Sequence, residues 1–194
     1  MTRALGDTAT FDRVARFYDR LAPAADADEL QEAFSFADRE VERLLDVGGG
    51  TGRGAGALSI RERTVADAAE GMTRQARRNG FEAVRADAAN LPFDDESVDA
   101  ILIVDALHHF GDPDRTITEA ERLLRPGGVL VIREIDPTAL VGRVIETGEH
   151  LYGFDSTFFA PEDLARRVAH AGLEAKFRSP GFEYTVVGRV PRES

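Results

Sequence analysis

The stretch Arg43–Ala55, RLLDVGGGTGRGA, runs a short apolar segment straight into glycines at 48, 49, 50, 52 and 54. An apolar run of this length stopped by glycine reads as a buried strand that ends in a tight loop. A strand that breaks into a glycine loop and continues as a helix is the opening unit of a parallel, doubly wound sheet. It also prepares a ligand site, because such sheets bind their ligands outside the carboxyl ends of the strands.

The pattern continues downstream. RTVAD (63–67) predicts a strand and EGMTRQARRN (70–79) a helix, stopped by Gly80. FEAVRAD (81–87) predicts a third strand, and VDAILIVDAL (98–107) a fourth, apolar enough to be buried on both faces. Residues 112–125 predict a helix with Asp112 as N-cap, Pro113 at its first position and a stripe of Ile117, Ala120 and Leu124. GVLVIREI (128–135) predicts a fifth strand. Pro161 opens a helix with a Leu164, Val168 and Ala171 stripe, stopped by Gly172, and two strands follow at 174–179 and 183–190. Upstream of the loop, helices are expected at 11–20 and 28–41. The predicted fold is therefore α/β, a mostly parallel sheet of seven strands, with one antiparallel strand supplied by the C-terminal hairpin.

The glycine loop alone admits several ligands. A Walker loop needs a lysine after its last glycine, and Lys176 is the only lysine of the chain, so that class is excluded. Gly50, Gly52 and Ala55 satisfy the loose dinucleotide pattern G-x-G-x-x-G/A, which keeps a nicotinamide-dependent oxidoreductase open. Asp67 ends the second strand, where a carboxylate can accept from both hydroxyls of a free ribose; its simpler role is to start the helix that follows.

Further motifs decide between these ligands. LDVGGGTGRGA, VADAAEGMTRQAR, RADAANLPFDDESVDAILIVDALHHF and ERLLRPGGVLVIRE follow one another over residues 45–134. In this order and spacing they resemble the motifs of the class I S-adenosylmethionine-dependent methyltransferases, in the small-molecule branch that includes the ubiquinone and menaquinone methyltransferases. FDRVARFYDRL resembles the N-terminal helix of that family, so the resemblance covers about residues 10–190. Ala69 stands where the family usually has serine, and Val98 where it usually has an aromatic; neither change removes a charge. The resemblance implies a Rossmann-like methyltransferase sheet, S-adenosyl-L-methionine as cofactor and S-adenosyl-L-homocysteine as product. It places Asp46, Gly48, Gly50 and Gly52 at the methionine tail and ribose, Asp67 and Ala68 at the ribose, and Asp87 and Ala88 at the adenine. Tyr18 falls near the tail and Asp105 near the positive groups. Each has a plainer alternative: Asp87 as a turn cap, Asp46 and Asp105 as loop polarity, Tyr18 as a core aromatic.

Methyl transfer is an in-line displacement at an already activated carbon, so the protein chiefly aligns the reactants, and a base is needed only where the acceptor must lose a proton. His108, His109 and Glu134 are the catalytic candidates, with Asp136 on the same rim. The alternative for His108 and His109 is an imidazole packed under its own loop. Residues 144–164, with His150, Tyr152, Phe154, Phe158 and Phe159, are expected to cover the acceptor or merely the sheet edge. No metal site is expected, since His108 and His109 are adjacent rather than at H-x-x-x-H spacing.

A formal net charge of −11, from 35 acidic and 24 basic residues, speaks against a nucleic-acid partner. No apolar run approaches the about 20 residues of a membrane span, and the N-terminus lacks a signal-peptide core, so a cytoplasmic protein is expected. The acid-rich, lysine-poor composition fits either a halophilic host or an arginine-favouring genome. One methyltransferase domain is expected: a helical cap over 1–42, a cofactor-binding core over 43–136, an acceptor lid over 137–160, and a final helix and strand hairpin over 161–194. Its partner is a small-molecule methyl acceptor; a non-catalytic protein that binds S-adenosylmethionine fits the same motifs.

Overall fold

The computed structural model describes residues 27–143, 147 and 156–192. The predicted helix at 11–20, Tyr18, His150, Tyr152 and Phe154 lie outside them. The elements in order are α1 (Ala27–Phe34), β1 (Arg43–Val47), α2 (Arg53–Gly56), β2 (Glu62–Asp67), α3 (Glu70–Arg78), β3 (Glu82–Arg85), β4 (Val98–Val104), a 3-10 turn (Leu107–His109), α4 (Pro113–Leu123), β5 (Leu124–Ile135), α5 (Pro161–His170), β6 (Glu174–Arg178) and β7 (Glu183–Arg189).

The strands form one sheet in the order β3-β2-β1-β4-β5-β7-β6. β1 pairs in parallel with β2 and β4, β2 with β3, and β4 with β5. β7 is antiparallel to both β5 and β6. The sheet is thus mostly parallel with one antiparallel strand, as the alternation of patterns predicts. The order reverses between β1 and β4, which puts the β1 glycine loop at the switch point.

Both faces of the central strands are buried, which is why they read as continuous apolar runs. Ile101, Ile103, Leu130 and Ile132 pack with Ile117, Leu123, Leu164 and Val168 of α4 and α5. On the other face Leu44, Leu102, Val129 and Val131 pack with Leu30 and Phe34 of α1 and with Ala55 and Ala76.

The amino end of the sheet is closed by Asp99, which is 2% exposed. Its Oδ2 accepts from the backbone N–H of Glu42 (3.1 Å) and Arg43 (2.9 Å), and its Oδ1 pairs with Arg39 (2.9 Å) and Arg125 (3.1 Å). A buried carboxylate needs such a complete set of donors.

Several boundaries differ from the sequence reading, each for a local reason. The helix expected at 28–41 ends at Phe34, where Ser35 Oγ donates to the Glu32 carbonyl (2.6 Å) and the Asp38 N–H turns to the Gly127 carbonyl (2.8 Å). β3 covers only Glu82–Arg85, because Asp87 already folds back in an isolated bridge to Asn90. β4 stops at Val104, and the residues to His109 turn instead into the 3-10 segment. β5 starts at Leu124 rather than 128: Leu124 pairs with Val98, and a register shift over RPGG, with Gly127 at φ 79°, precedes the pairing of Val129 with Ala100.

Candidate cofactor and acceptor site

The glycine loop leaves β1 at Val47 and is held from below by Asp46. That carboxyl is 1% exposed, and its Oδ2 accepts from the Ala55 N–H at 2.8 Å. Burial pushes the Asp46 carboxyl up to about 7, with the neighbouring Asp67 adding to the rise and the bond from Ala55 and the charge of Arg53 opposing it. The loop lies directly on this group: a Cβ at Gly49 would stand 2.5 Å from Asp46 Cγ.

The glycines have distinct jobs. At Gly48, with φ 68°, a Cβ would stand 2.7 Å from Phe110 Cζ and 2.8 Å from the Ala106 Cβ. The obstacle there is the protein itself. At Gly50, with φ 58°, the nearest atom to a Cβ would be Met72 Sδ at 3.7 Å, so this position opens onto a space that a ligand can fill. At Gly52, with φ 91°, a Cβ would stand 2.6 Å from Phe81 Cε2, so this glycine lets the loop close on that ring. The helix after the loop, α2, is a single turn of four residues. Its macrodipole is correspondingly small.

Asp67 ties the loop to the second strand. Its Oδ2 accepts from the Gly50 N–H (3.0 Å) and its Oδ1 from the Ala69 N–H (2.8 Å). The N-cap position of α3 is Ala69, without a side-chain cap, so Asp67 is more than a helix starter: it fixes the loop at the glycine whose side faces open space. Ala68 follows it, with its carbonyl accepting from Arg85 Nε at 3.0 Å. Asp87 comes up one strand further along the same rim. Its Oδ1 accepts from the Ala89 N–H at 3.0 Å, a local turn bond, and Ala88 beside it packs on the core.

On the β4–β5 side the rim is a set of committed polar groups. Glu134 is 2% exposed; its Oε1 accepts from the Leu107 N–H (2.7 Å) and its Oε2 lies 2.6 Å from His108 Nδ1. His108 is itself 3% exposed and stacks on Phe158 at 4.4 Å between ring centroids. The Thr157 N–H donates to the His108 carbonyl (2.7 Å), and Ser156 Oγ lies 3.2 Å from His109 Nδ1. His108 and Glu134 therefore form a buried pair that anchors the 3-10 turn and the 156–159 segment, while His109 is only part-buried. Asp136 Oδ1 accepts from the Thr138 N–H (2.8 Å) and hydroxyl (2.6 Å), which commits that carboxyl to the turn after β5.

Asp105 stands at the end of β4 in a left-handed conformation, φ 50°. Its N–H donates to the Arg133 carbonyl (2.9 Å) and its Oδ2 pairs with the Arg133 guanidinium (3.2 Å). Burial pushes its carboxyl up to about 6, against the opposing charge of Arg133. Arg133 is also paired with Glu183 at 2.5 Å. The sequence reading missed Gly49, Ala106, Phe110 and Arg133; Phe110 directly after ALHH was the one available signal.

A glycine cradle at the switch point, fixed to an acid at the end of β2 and followed by a second acid beyond β3, fits a nucleoside cofactor with a free ribose. Residues 45–132 match the family described as Methyltransferase domain. The chain is similar to a demethylmenaquinone methyltransferase of Thermus thermophilus, 32% identical over 205 residues, covering 86% of this chain and 92% of that protein. It is also similar to one of Clavibacter sepedonicus, 37% identical over 150 residues, covering 70% of this chain and 61% of that protein. Among solved structures it resembles an S-adenosylmethionine-dependent methyltransferase of Thermotoga maritima, described as a possible histamine N-methyltransferase. The TM-score is 0.75 at 26% identity, covering 93% of this chain and 98% of that one. The chain belongs to the class I S-adenosylmethionine-dependent methyltransferases. Its place within them is beside the small-molecule enzymes, and the oxidoreductase reading of the loop is not favoured.

No helix among the described residues is long and apolar enough to cross a membrane. No group of three or more potential metal ligands is assembled among them.

Proposed function

We propose that this chain transfers a methyl group from S-adenosylmethionine to a small, largely apolar acceptor, and that it does so in the cytoplasm. The observation that carries the site assignment is the bond from the Gly50 N–H to Asp67 Oδ2. It fixes the loop so that Gly50 faces open space next to a ribose-binding acid. Asp46 and Gly49 support the loop from beneath. Gly48 and Gly52 let it pack against Phe110 and Phe81. Asp67 and Ala68 hold the ribose, Asp87 and Ala88 the adenine, and Asp105 lies on the side of the positive groups.

The cofactor supplies an electrophilic methyl carbon. The chain's own part is alignment and exclusion of water, which suits a rim built from buried, mutually bonded groups. Glu134 and His108 serve as the fixed wall of the acceptor side. His109, part-buried and beside Ser156, is the nearer candidate for accepting a proton from an acceptor that must lose one. The relatives' acceptors, as their names give them, are demethylmenaquinone and a fatty acid, which supports an apolar acceptor here.

The test is transfer of a labelled methyl from S-adenosylmethionine into separate aqueous and organic extracts. Label is expected in a discrete product of the organic extract. Label only in the aqueous extract would replace the apolar acceptor with a polar one. Cofactor binding without transfer to either would favour a non-catalytic binding protein.

A further inference from the structure

Among the described residues, the exposed large apolar side chains are Leu140, Val141, Phe177 and Phe182, at 80%, 48%, 43% and 42% exposure. They are not scattered. β6 runs parallel to β5, since both are antiparallel to β7. The turn from β6 to β7 therefore rises on the same carboxyl rim as the end of β5. The Asp136 N–H donates to the Phe182 carbonyl at 2.8 Å. A Cβ at Gly142 would stand 1.8 Å from the Asp136 carbonyl oxygen, so the Leu140–Arg143 segment packs on that same point. Leu140, Val141 and Phe182 thus lie at the rim on two segments that meet at Asp136, and Phe177 lies lower on the edge strand β6, opposite Val186.

The charge of these segments is reversed relative to the rest of the chain. Residues 137–143 and 175–182 carry Arg143, Lys176 and Arg178 and no acid, and of the acids that border them Glu174 and Glu183 are paired with Arg189 and Arg133 while Asp136 is bonded to Thr138. Lys176 Nζ stands 4.6 Å over the Phe36 ring, and Arg178 pairs with Glu32 while its side chain remains 63% exposed.

We propose that this lip docks on the surface of an anionic phospholipid bilayer. The apolar side chains enter the headgroup region, the basic ones face the phosphates, and the methyl acceptor passes from lipid into the site. The inference rests on the proposed apolar acceptor and on the β4–β5 rim as its side of the molecule.

A protein partner is the weaker fit. Four side chains on two short segments expose on the order of a few hundred Å², against about 800 Å² per partner in a stable interface. An interfacial contact needs only a few apolar groups with basic neighbours. The strongly acidic remainder of the surface would also turn away from anionic lipid, orienting the lip toward it.

The experiment is flotation of the full chain with vesicles of phosphatidylcholine alone and with about one third phosphatidylglycerol. Binding is expected to the mixed vesicles, about tenfold weaker to the neutral ones and weakened by salt. The F177S/F182S variant and the R143E/K176E variant should each bind about tenfold more weakly, with unchanged S-adenosylhomocysteine affinity and melting temperature. Failure to bind either vesicle, or variants that float like the parent, would overturn the proposal. So would a dimer in sedimentation that F177S/F182S dissolves, since the occupant would then be a second copy. Loss of S-adenosylhomocysteine binding by the parent chain would fail the methyltransferase assignment instead, and the flotation readout is independent of it.

Discussion

Alanine at Gly48 and at Gly50 separates the two roles of the glycine loop. Both positions have a left-handed backbone, φ 68° and 58°, which costs an L-residue about 1–2 kcal/mol. At Gly50 nothing else is within 3.7 Å of the new Cβ, so G50A should lose only that amount, a fall in Tm of about 3–6 °C for a chain of this length. At Gly48 the Cβ would also meet Phe110 Cζ at 2.7 Å and the Ala106 Cβ at 2.8 Å. The phenyl ring can rotate, but Ala106 cannot yield without moving the end of β4. Overpacking of this kind adds about 1–3 kcal/mol, so G48A should lose about 3 kcal/mol and about 6–12 °C. Cofactor affinity should follow the opposite order relative to stability. G50A places a methyl in the cradle and should weaken S-adenosylhomocysteine binding by at least about tenfold, or 1.4 kcal/mol, despite its milder effect on folding. Thermal denaturation and isothermal titration on the two variants read both quantities. A G48A protein no less stable than G50A would refute the packing of the loop on Phe110 and Ala106. Full affinity in G50A would refute the cradle.

Other perturbations test the supports of the site. D99A strands two arginines and two backbone N–H groups at the amino end of the sheet; breaking a buried charged set costs about 3–5 kcal/mol, and a loss below about 1 kcal/mol in urea unfolding would contradict the hub. E134A leaves His108 Nδ1 and the Leu107 N–H without their shared acceptor and should destabilise by a similar about 3 kcal/mol; a variant as stable as the parent would show that the buried pair does not anchor the 3-10 turn. The Asp46 carboxyl, pushed up to about 7 by burial, keeps its proton in the folded chain where an ordinary unfolded carboxyl near 3.8 has lost it. Its contribution to stability therefore declines as pH rises from about 4 to 7 and is level above that. D46N should flatten this part of the stability–pH curve, and an identical slope in D46N would assign the dependence to other groups.

Much of the fold is legible because its information is local. The strand runs, the Asp112–Pro113 start of α4, where Asp112 Oδ1 accepts from the Arg115 N–H at 3.0 Å, and the glycine loop all lie within a few residues of their own signals. Asp67 is also legible, because its place at the end of β2 follows from the strand pattern. What is not legible depends on which strands become neighbours. Gly48 touches Phe110 and Ala106 only because β1 lies beside β4. Asp99 reaches Arg39 and Arg125 for the same reason, across β4 and β5. His108 reads equally as a base or as a packed ring until Glu134 and Phe158 are seen around it. The need for glycine at 54, in the one-turn α2, is not legible either, because a Cβ there would meet Asp46 and Leu102 only once β1 lies beside β4.

The central claim is that the Gly48–Gly52 loop and Asp67 form a nucleoside-cofactor site for methyl transfer. Titration of S-adenosylhomocysteine into the parent chain and into D67A tests it most directly. The account predicts one site per chain in the parent and at least about tenfold weaker binding in D67A, with the fold intact by circular dichroism. Equal affinity in D67A, or no binding by the parent up to millimolar ligand, would contradict it.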